Sequence, residues 1–220
     1  MIVVAALVGA LLLGVAAPAT DASDLPSITY VVDGTPHKVY WTVDDHPTKT
    51  TNQFLDLFKQ HNIKATFFVV GWNVQAYYRQ PTYGPLKRAA LSVVRMKAEG
   101  HTLGNHSLSH SDFCKDNFPT WRVKYELVTT QNLLLQLTGL TPVHWRPPHG
   151  KICTSVHKAV TQVGLKSWLW DIDDYRVSVG RMWYLFKTRV ARKEPSTMLL
   201  FHTNPSKLKG FLQLVSPPSL

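Results

Sequence analysis

The chain has 220 residues, 45% of them hydrophobic and 17% charged, which supplies enough apolar material for one domain with a sizeable core and excludes a disordered class. The net charge of +10 would suit an anionic polymer or surface. There is no Lys/Arg run and no RNA-binding signature, so no nucleic-acid partner is expected.

Residues 1–20, "MIVVAALVGALLLGVAAPAT", carry no charged side chain. The apolar stretch ends at Ala17-Pro18-Ala19, an A-x-A-like pattern. Residues 1–19 therefore read as a signal peptide, and 20–220 as a single domain. The stretch is slightly short for a spanning helix. Neither a second spanning segment nor stable membrane insertion after cleavage is expected. The implied location is secreted, periplasmic or cell-wall associated, and a monomer is expected.

Further along, "SITYVVDGTPHKVYWTVDD" alternates around a turn at Gly34, and 39–43 reads as a strand ending at Asp44 and Asp45. Residues 50–61 place Phe54, Leu55, Leu57 and Phe58 on one helical face. "KATFFVVG", 64–71, is the continuous apolar run of a strand covered on both sides. A helix over 85–99 stops at Gly100, and 101–105 reads as a short strand. Residues 120–137 are helical, 142–146 a strand, 155–163 a helix, 166–172 a strand, 181–191 a helix and 197–202 the last clear strand. Strand and helix alternate throughout, which predicts an α/β fold of parallel strands, as a barrel or a doubly wound sheet.

Polar groups collect where the strands end. Asp44 and Asp45 follow one strand, and His106 and His110 another. Arg146 ends a third, Asp171, Asp173 and Asp174 end a fourth, and His202 a fifth. In parallel α/β folds those ends share one face, and sites are built there. His106 and His110, four apart, would point the same way on a helical turn and grip one ion. A carboxylate from another strand end completes a two-His, one-carboxylate set with positions open for water and substrate. If Asp45 binds the ion, Asp44 is free to accept a proton from a nearby water. The plainer reading of the pair is a capping or turn motif before Pro47. Two cysteines, Cys114 and Cys153, can close a disulfide in an exported protein, although spacing does not show that they meet.

Five stretches, in order, resemble the motifs of the polysaccharide deacetylases with the NodB-homology domain, carbohydrate esterase family 4. "TVDDHP" is similar to TFDDGP, "HSLSH" to H-[ST]-x-x-H and "WRPPHG" to RPPYG. "DIDDY" resembles D-x-x-D-W and "LLFHT" the closing L-x-H motif, while "ATFFVVG" is similar to the family's second strand. The resemblance implies a distorted (β/α)7 barrel and a hydrolase that removes N-acetyl groups from an N-acetylglucosamine-containing polysaccharide such as chitin, peptidoglycan or poly-N-acetylglucosamine. It assigns Asp45, His106 and His110 to a divalent ion, usually Zn2+, with Co2+ or Mn2+ as alternatives. It makes Asp44 the general base, oriented by Arg146, and His202 the general acid, positioned by Asp171 or Asp174, with Asp171 favoured. The main-chain N–H of His149, next to Pro148, would hold the oxyanion.

Departures from the motifs carry expectations of their own. His46 stands where the family has Gly, adding a ring that would narrow the site or offer another ligand. His149 replaces Tyr and Tyr175 replaces Trp. Only 18 residues follow His202, too few for the helix and strand that usually finish the barrel, so closure is expected to be imperfect. Of Trp41, Trp145, Trp168 and Trp170, one or two are expected to stack on sugar rings and the rest to pack in the core. The competing readings are a catalytically silent, carbohydrate-binding homologue, a deacylase of another acetylated glycan, and a two-His, one-carboxylate iron oxygenase. The tandem Asp and the terminal His argue against the last.

Overall fold

The structure, a computed structural model, describes residues 25–79 and 84–215. The expected signal peptide lies outside the described residues.

A hairpin opens the fold. β1 (Ile28–Val32) pairs antiparallel with the first half of β2 (Thr35–His46) across a turn at Asp33-Gly34. Gly34 has φ 76°, a left-handed conformation that glycine adopts without steric cost. From β2 the chain alternates as its hydrophobic pattern predicts, with one helix added: α1 (Thr51–Gln60), β3 (Thr66–Val69), α2 (Gly71–Arg79), which the pattern did not announce, α3 (Gly84–Ala98), β4 (Thr102–Asn105) and α4 (Thr120–Thr138). Next come β5 (His144–Trp145), α5 (Thr154–Val163), β6 (Lys166–Ser167), β7 (Ile172–Asp173), α6 (Val179–Ala191), β8 (Ser196–Phe201) and α7 (Pro205–Val215). Gly139 and Gly164, at φ 73° and 75°, end α4 and α5 as left-handed caps.

The parallel strands run in the order β6-β5-β4-β3-β2-β8-β7. The curled sheet with its surrounding helices is the distorted (β/α) barrel expected from sequence. One expected strand is corrected. Residues 166–172 do not form a single strand: β6 pairs with β5 at one edge of the sheet, and β7 pairs with β8 at the other. The residues between them, 168–171, cross from edge to edge. Trp168 N–H donates to Trp145 O at 2.9 Å, and Asp171 N–H donates to Met198 O at 2.9 Å. One short segment therefore serves both margins of the sheet.

After β8 the chain forms a helix and, among the described residues, no further strand. α7 buries Leu208, Phe211, Leu212 and Val215. Phe211 meets Trp41, Phe186 and Phe201 at ring separations of 5.9–6.0 Å within an aromatic cluster under the β2–β8 pair. Each fully buried ring of this size stabilises the fold by roughly 1.5–3 kcal/mol before entropy is counted. Trp41 and Trp145 are wholly buried and belong to the core, as expected for most of the tryptophans.

Cys114 and Cys153 form a disulfide with a Cα–Cα distance of 5.7 Å. It ties the loop that follows His110 to the residue preceding α5. Lys151 and Asp112 pair across the same two segments.

Candidate metal and catalytic site

A cleft of about 510 Å³ opens at the strand C-termini. Its lining includes Asp44, Asp45, His106, His110, His149 and His202. The placement of the tandem aspartates has a local explanation. On a regular strand, neighbours point to opposite faces. Here the pairing of β2 with β3 shifts between Val43 and His46, and Asp45 sits at φ 67°. The irregularity breaks the alternation, so both carboxylates face the cleft. Asn73 secures the turn by donating from Nδ2 to Asp45 O at 3.1 Å.

The same shift turns His46 away. Its ring is fully buried; Nε2 donates to His202 O at 2.9 Å, and Nδ1 meets Thr51 Oγ1 at 2.7 Å. The expectation that His46 narrows the cleft or adds a ligand is corrected: it packs on Phe54 and Phe67 and ties the end of β8 to α1. Burial pulls its pKa down to about 4, although the bond to His202 O and the charges of Asp45 and Asp44 pull upward.

Asp45, His106 and His110 offer ligand atoms that all lie within 4.8 Å of one another. Asp45 Oδ1 is 3.1 Å from His110 Nε2 and 3.6 Å from His106 Nε2. A loop, rather than the helical turn expected from the i, i+4 spacing, brings the two imidazoles together. Ser107 and His110 have positive φ, and the rings lie 4.8 Å apart. His106 Nδ1 donates to Arg146 O at 2.8 Å, which leaves Nε2 as the lone-pair nitrogen facing Asp45. Burial raises the Asp45 carboxyl, but the His110 hydrogen bond and the neighbouring histidines outweigh it and bring the pKa down to about 2. Burial lowers His106, against the opposing pull of Asp44. The set is one carboxylate and two imidazoles at close range, with a carbonyl fixing the tautomer of His106. That donor chemistry fits a divalent ion such as zinc.

Arg146 fills the barrel beneath the cleft and is fully buried. Its Nη1 donates to Asp44 Oδ1 at 2.9 Å and to Thr42 Oγ1 at 2.7 Å. Its Nε and Nη2 donate to Trp168 O and Leu169 O, the carbonyls of the crossing segment, at 3.2 and 2.9 Å. Burial lowers its pKa while Asp44 raises it, and a guanidinium stays charged in either case. Thr42, which sequence reasoning did not single out, also donates to Leu199 O and so fixes the rotation of that guanidinium.

His202 Nδ1 donates to Asp174 Oδ1 at 2.6 Å. The resemblance favoured Asp171 here, and the geometry reverses that choice. Asp171 instead pairs with Arg189 at 3.0 Å and accepts from Met198 N–H. It lies in the crossing segment, on the far side of Ile172 from the cleft. Asp173 stands 3.7 Å from His202 Nδ1. Burial pulls His202 down, but the Asp174 hydrogen bond and the charges of Asp44, Asp174 and Asp45 prevail and raise it to about 8. Because the folded value exceeds the ordinary 6.5, the pair contributes stability that is complete below about 6.5 and lost as pH rises through about 8. In metal-free protein, a proton NMR titration should place His202 near 8. Asp174→Asn should lower it, because the hydrogen bond and the charge that raise it are removed; an unmoved midpoint would remove the pair.

Pro148 is buried and His149 exposed, with φ 59° and its ring 4.8 Å from that of His110. Trp170 and Tyr175 also line the cleft, and Tyr175 is 59% exposed. The α4 carboxylate of Glu126 is the other functional group that sequence reasoning missed. It is buried against the loop carrying the two histidines.

Comparison with known proteins follows the same lines. The polysaccharide deacetylase family model matches residues 32–168. A peptidoglycan-N-acetylglucosamine deacetylase of Bacillus cereus is 30% identical over 177 residues, covering 80% of this chain and 58% of that protein. A chitin deacetylase of Amylomyces rouxii is 31% identical over 139 residues, covering 63% of this chain and 30% of its own length. The solved structure of a polysaccharide deacetylase from Bacillus cereus superposes with a TM-score of 0.61 at 29% identity, over 80% of this chain and 85% of that one. The chain belongs to the polysaccharide deacetylase family. It spans a little over half the length of the Bacillus cereus relative it matches. Among the described residues, no helix is long and apolar enough to cross a membrane.

Proposed function

We propose that this protein is a metal-dependent hydrolase that removes N-acetyl groups from an N-acetylglucosamine-containing polysaccharide. The observation that carries the reading is the convergence in one cleft of a three-ligand set, an arginine-held carboxylate and a carboxylate-held histidine. Asp45, His106 and His110 would hold the ion. When bound, a divalent cation supplies Lewis acidity toward an amide carbonyl and acidifies water.

The remaining chemistry belongs to the chain. Asp44 is 2% exposed, held at Oδ1 by Arg146, and its Oδ2 is 3.6 Å from His106 Nε2. It is placed to take a proton from a water molecule attacking the acetamide carbonyl. Arg146 keeps that carboxylate oriented through a charge-assisted bond. The main-chain N–H of His149, which follows Pro148, is assigned to the carbonyl oxygen as negative charge builds. His202, protonated with Nδ1 on Asp174, delivers a proton from Nε2 to the departing amine. The C–N bond breaks, acetate leaves, and a glucosamine unit remains. Trp170 and Tyr175 offer aromatic faces for sugar rings at the rim.

The substrates for which the relatives are named, peptidoglycan and chitin, support this class of polymer. The expected location outside the cytoplasm supports it too, and a disulfide between Cys114 and Cys153 suits an oxidising compartment. The test is acetate release by zinc-loaded protein from chitooligosaccharides, peptidoglycan and acetylated xylan. Release from one of the first two is expected. Bound zinc with no acetate from any of the three would leave a carbohydrate-binding homologue as the better reading.

A further inference from the structure

The loop 106–110 carries two of the three proposed ligands, yet its backbone is neither helix nor strand. What fixes it can be traced bond by bond. Gly71 and Trp72, at the start of α2, donate their N–H groups to Ser107 O and Leu108 O at 2.9 and 2.8 Å. Asn105 Oδ1 accepts from Ser107 N–H, and Ser107 Oγ accepts from His110 N–H. The two remaining N–H groups at the crest, those of Leu108 and Ser109, both point to a single oxygen, Oε2 of Glu126, at 3.1 and 2.7 Å. The Ser109 hydroxyl lies 2.9 Å from each oxygen of the same carboxylate.

Glu126 is 6% exposed and sits on the buried stripe of α4 with Val123, Leu127, Thr130 and Leu134. A carboxylate is costly on such a stripe unless its oxygens are met by donors. Here every side-chain hydrogen bond found for it goes to the ligand loop. The fit also tolerates little slack. A Cβ on Gly71 would stand 2.6 Å from Thr130 Oγ1 and 2.9 Å from Leu108 Cδ1, so α2, α4 and the loop are in close contact.

We infer that Glu126 is a positioning residue for the metal centre: it clamps the crest of the loop between His106 and His110 and so sets the separation of their imidazoles. The inference rests on the metal reading given above. Partners of this kind, which touch a ligand's support rather than the ion, typically govern metal affinity by about 10–100-fold.

The test is zinc affinity by chelator competition, with thermal unfolding of the metal-free protein measured alongside. Glu126→Ala should weaken zinc binding by about 10–100-fold. Glu126→Gln should restore most of it. Its carbonyl oxygen can take the place of Oε2 for the two N–H groups while its amide donates to Ser109 Oγ. Leu134→Ala, on the same buried stripe two turns further on, should lower the unfolding temperature and leave zinc affinity unchanged. Ser109→Ala removes one contact without emptying the core and should weaken binding by a few-fold, about 1 kcal/mol or less. That variant decides the matter if Glu126→Ala does not fold. Zinc affinity of Glu126→Ala or Ser109→Ala equal to wild type, or weakened no more than in Leu134→Ala, overturns the assignment. A wild-type protein that holds no zinc overturns the metal reading itself, a different and separable failure.

Discussion

Asp44→Asn should keep its zinc and lose about 10²–10⁴-fold in turnover, the usual contribution of a positioned general base. The substitution preserves the shape of the side chain and an oxygen for Arg146 Nη1, now at 2.9 Å. It removes the basicity needed to accept a proton. By contrast, His106→Ala deletes a ligand and should lose metal and activity together. Metal content and acetate release, read side by side, separate the two effects. The asparagine variant also leaves Arg146 without its hydrogen-bonded counter-charge, so its melting temperature should fall somewhat while its metal content does not. Acetate release at the wild-type rate from Asp44→Asn would withdraw the base assignment.

Replacing Arg146 should have the largest effect on stability. Its guanidinium reaches two carbonyls of the crossing segment, one hydroxyl and one carboxylate, all from a site closed to solvent. Arg146→Met strands Asp44 as an unpaired buried charge and leaves Trp168 O and Leu169 O without this donor. A loss of about 3–5 kcal/mol is expected. Lysine should rescue little. One ammonium on a flexible stem cannot serve partners that a planar fork reaches simultaneously. Urea unfolding of the metal-free variants measures both. An Arg146→Lys protein within about 1 kcal/mol of wild type, the usual worth of a single hydrogen bond, would show that the fork is not what holds the barrel together.

Much of the site was legible because apolar runs stop at polar groups, and strand ends in a parallel sheet share one face. That logic located Asp44, Asp45, Arg146 and His202. The motif resemblance then gave the family. What stayed hidden depended on backbone detail that periodicity does not encode. The run 166–172 reads as one strand because a change of pairing partner in mid-run leaves the apolar pattern unbroken. His46 was misplaced because the motif comparison put an extra ring beside the ligands, whereas the shift between Val43 and His46 turns that ring into the core. The histidine pair looked helical by its spacing, but residues with positive φ make the turn. Asp171 and Asp174 could not be told apart by position because both lie within two residues of Ile172, and the end of that strand was not fixed by sequence. Glu126 did leave a trace: an acidic residue three positions after Val123, in register with Leu127, Thr130 and Leu134. A lone carboxylate on an apolar helix stripe is a cue worth following.

The segment shared by the two sheet margins also acts as a caliper. Its length sets how far the β5 side of the ring stands from the β8 side, and Asp174 follows it across the two residues of β7. One residue inserted between Trp168 and Asp171 would advance the chain by about 3.3 Å, the rise of a single extended residue. That is more than the 2.6 Å joining Asp174 to His202. The spacing of His202 from its hydrogen-bond partner is therefore gauged by a peptide length, and drift in that count would part the two while Asp44, Asp45, His106 and His110, which stand on other segments, remained in place.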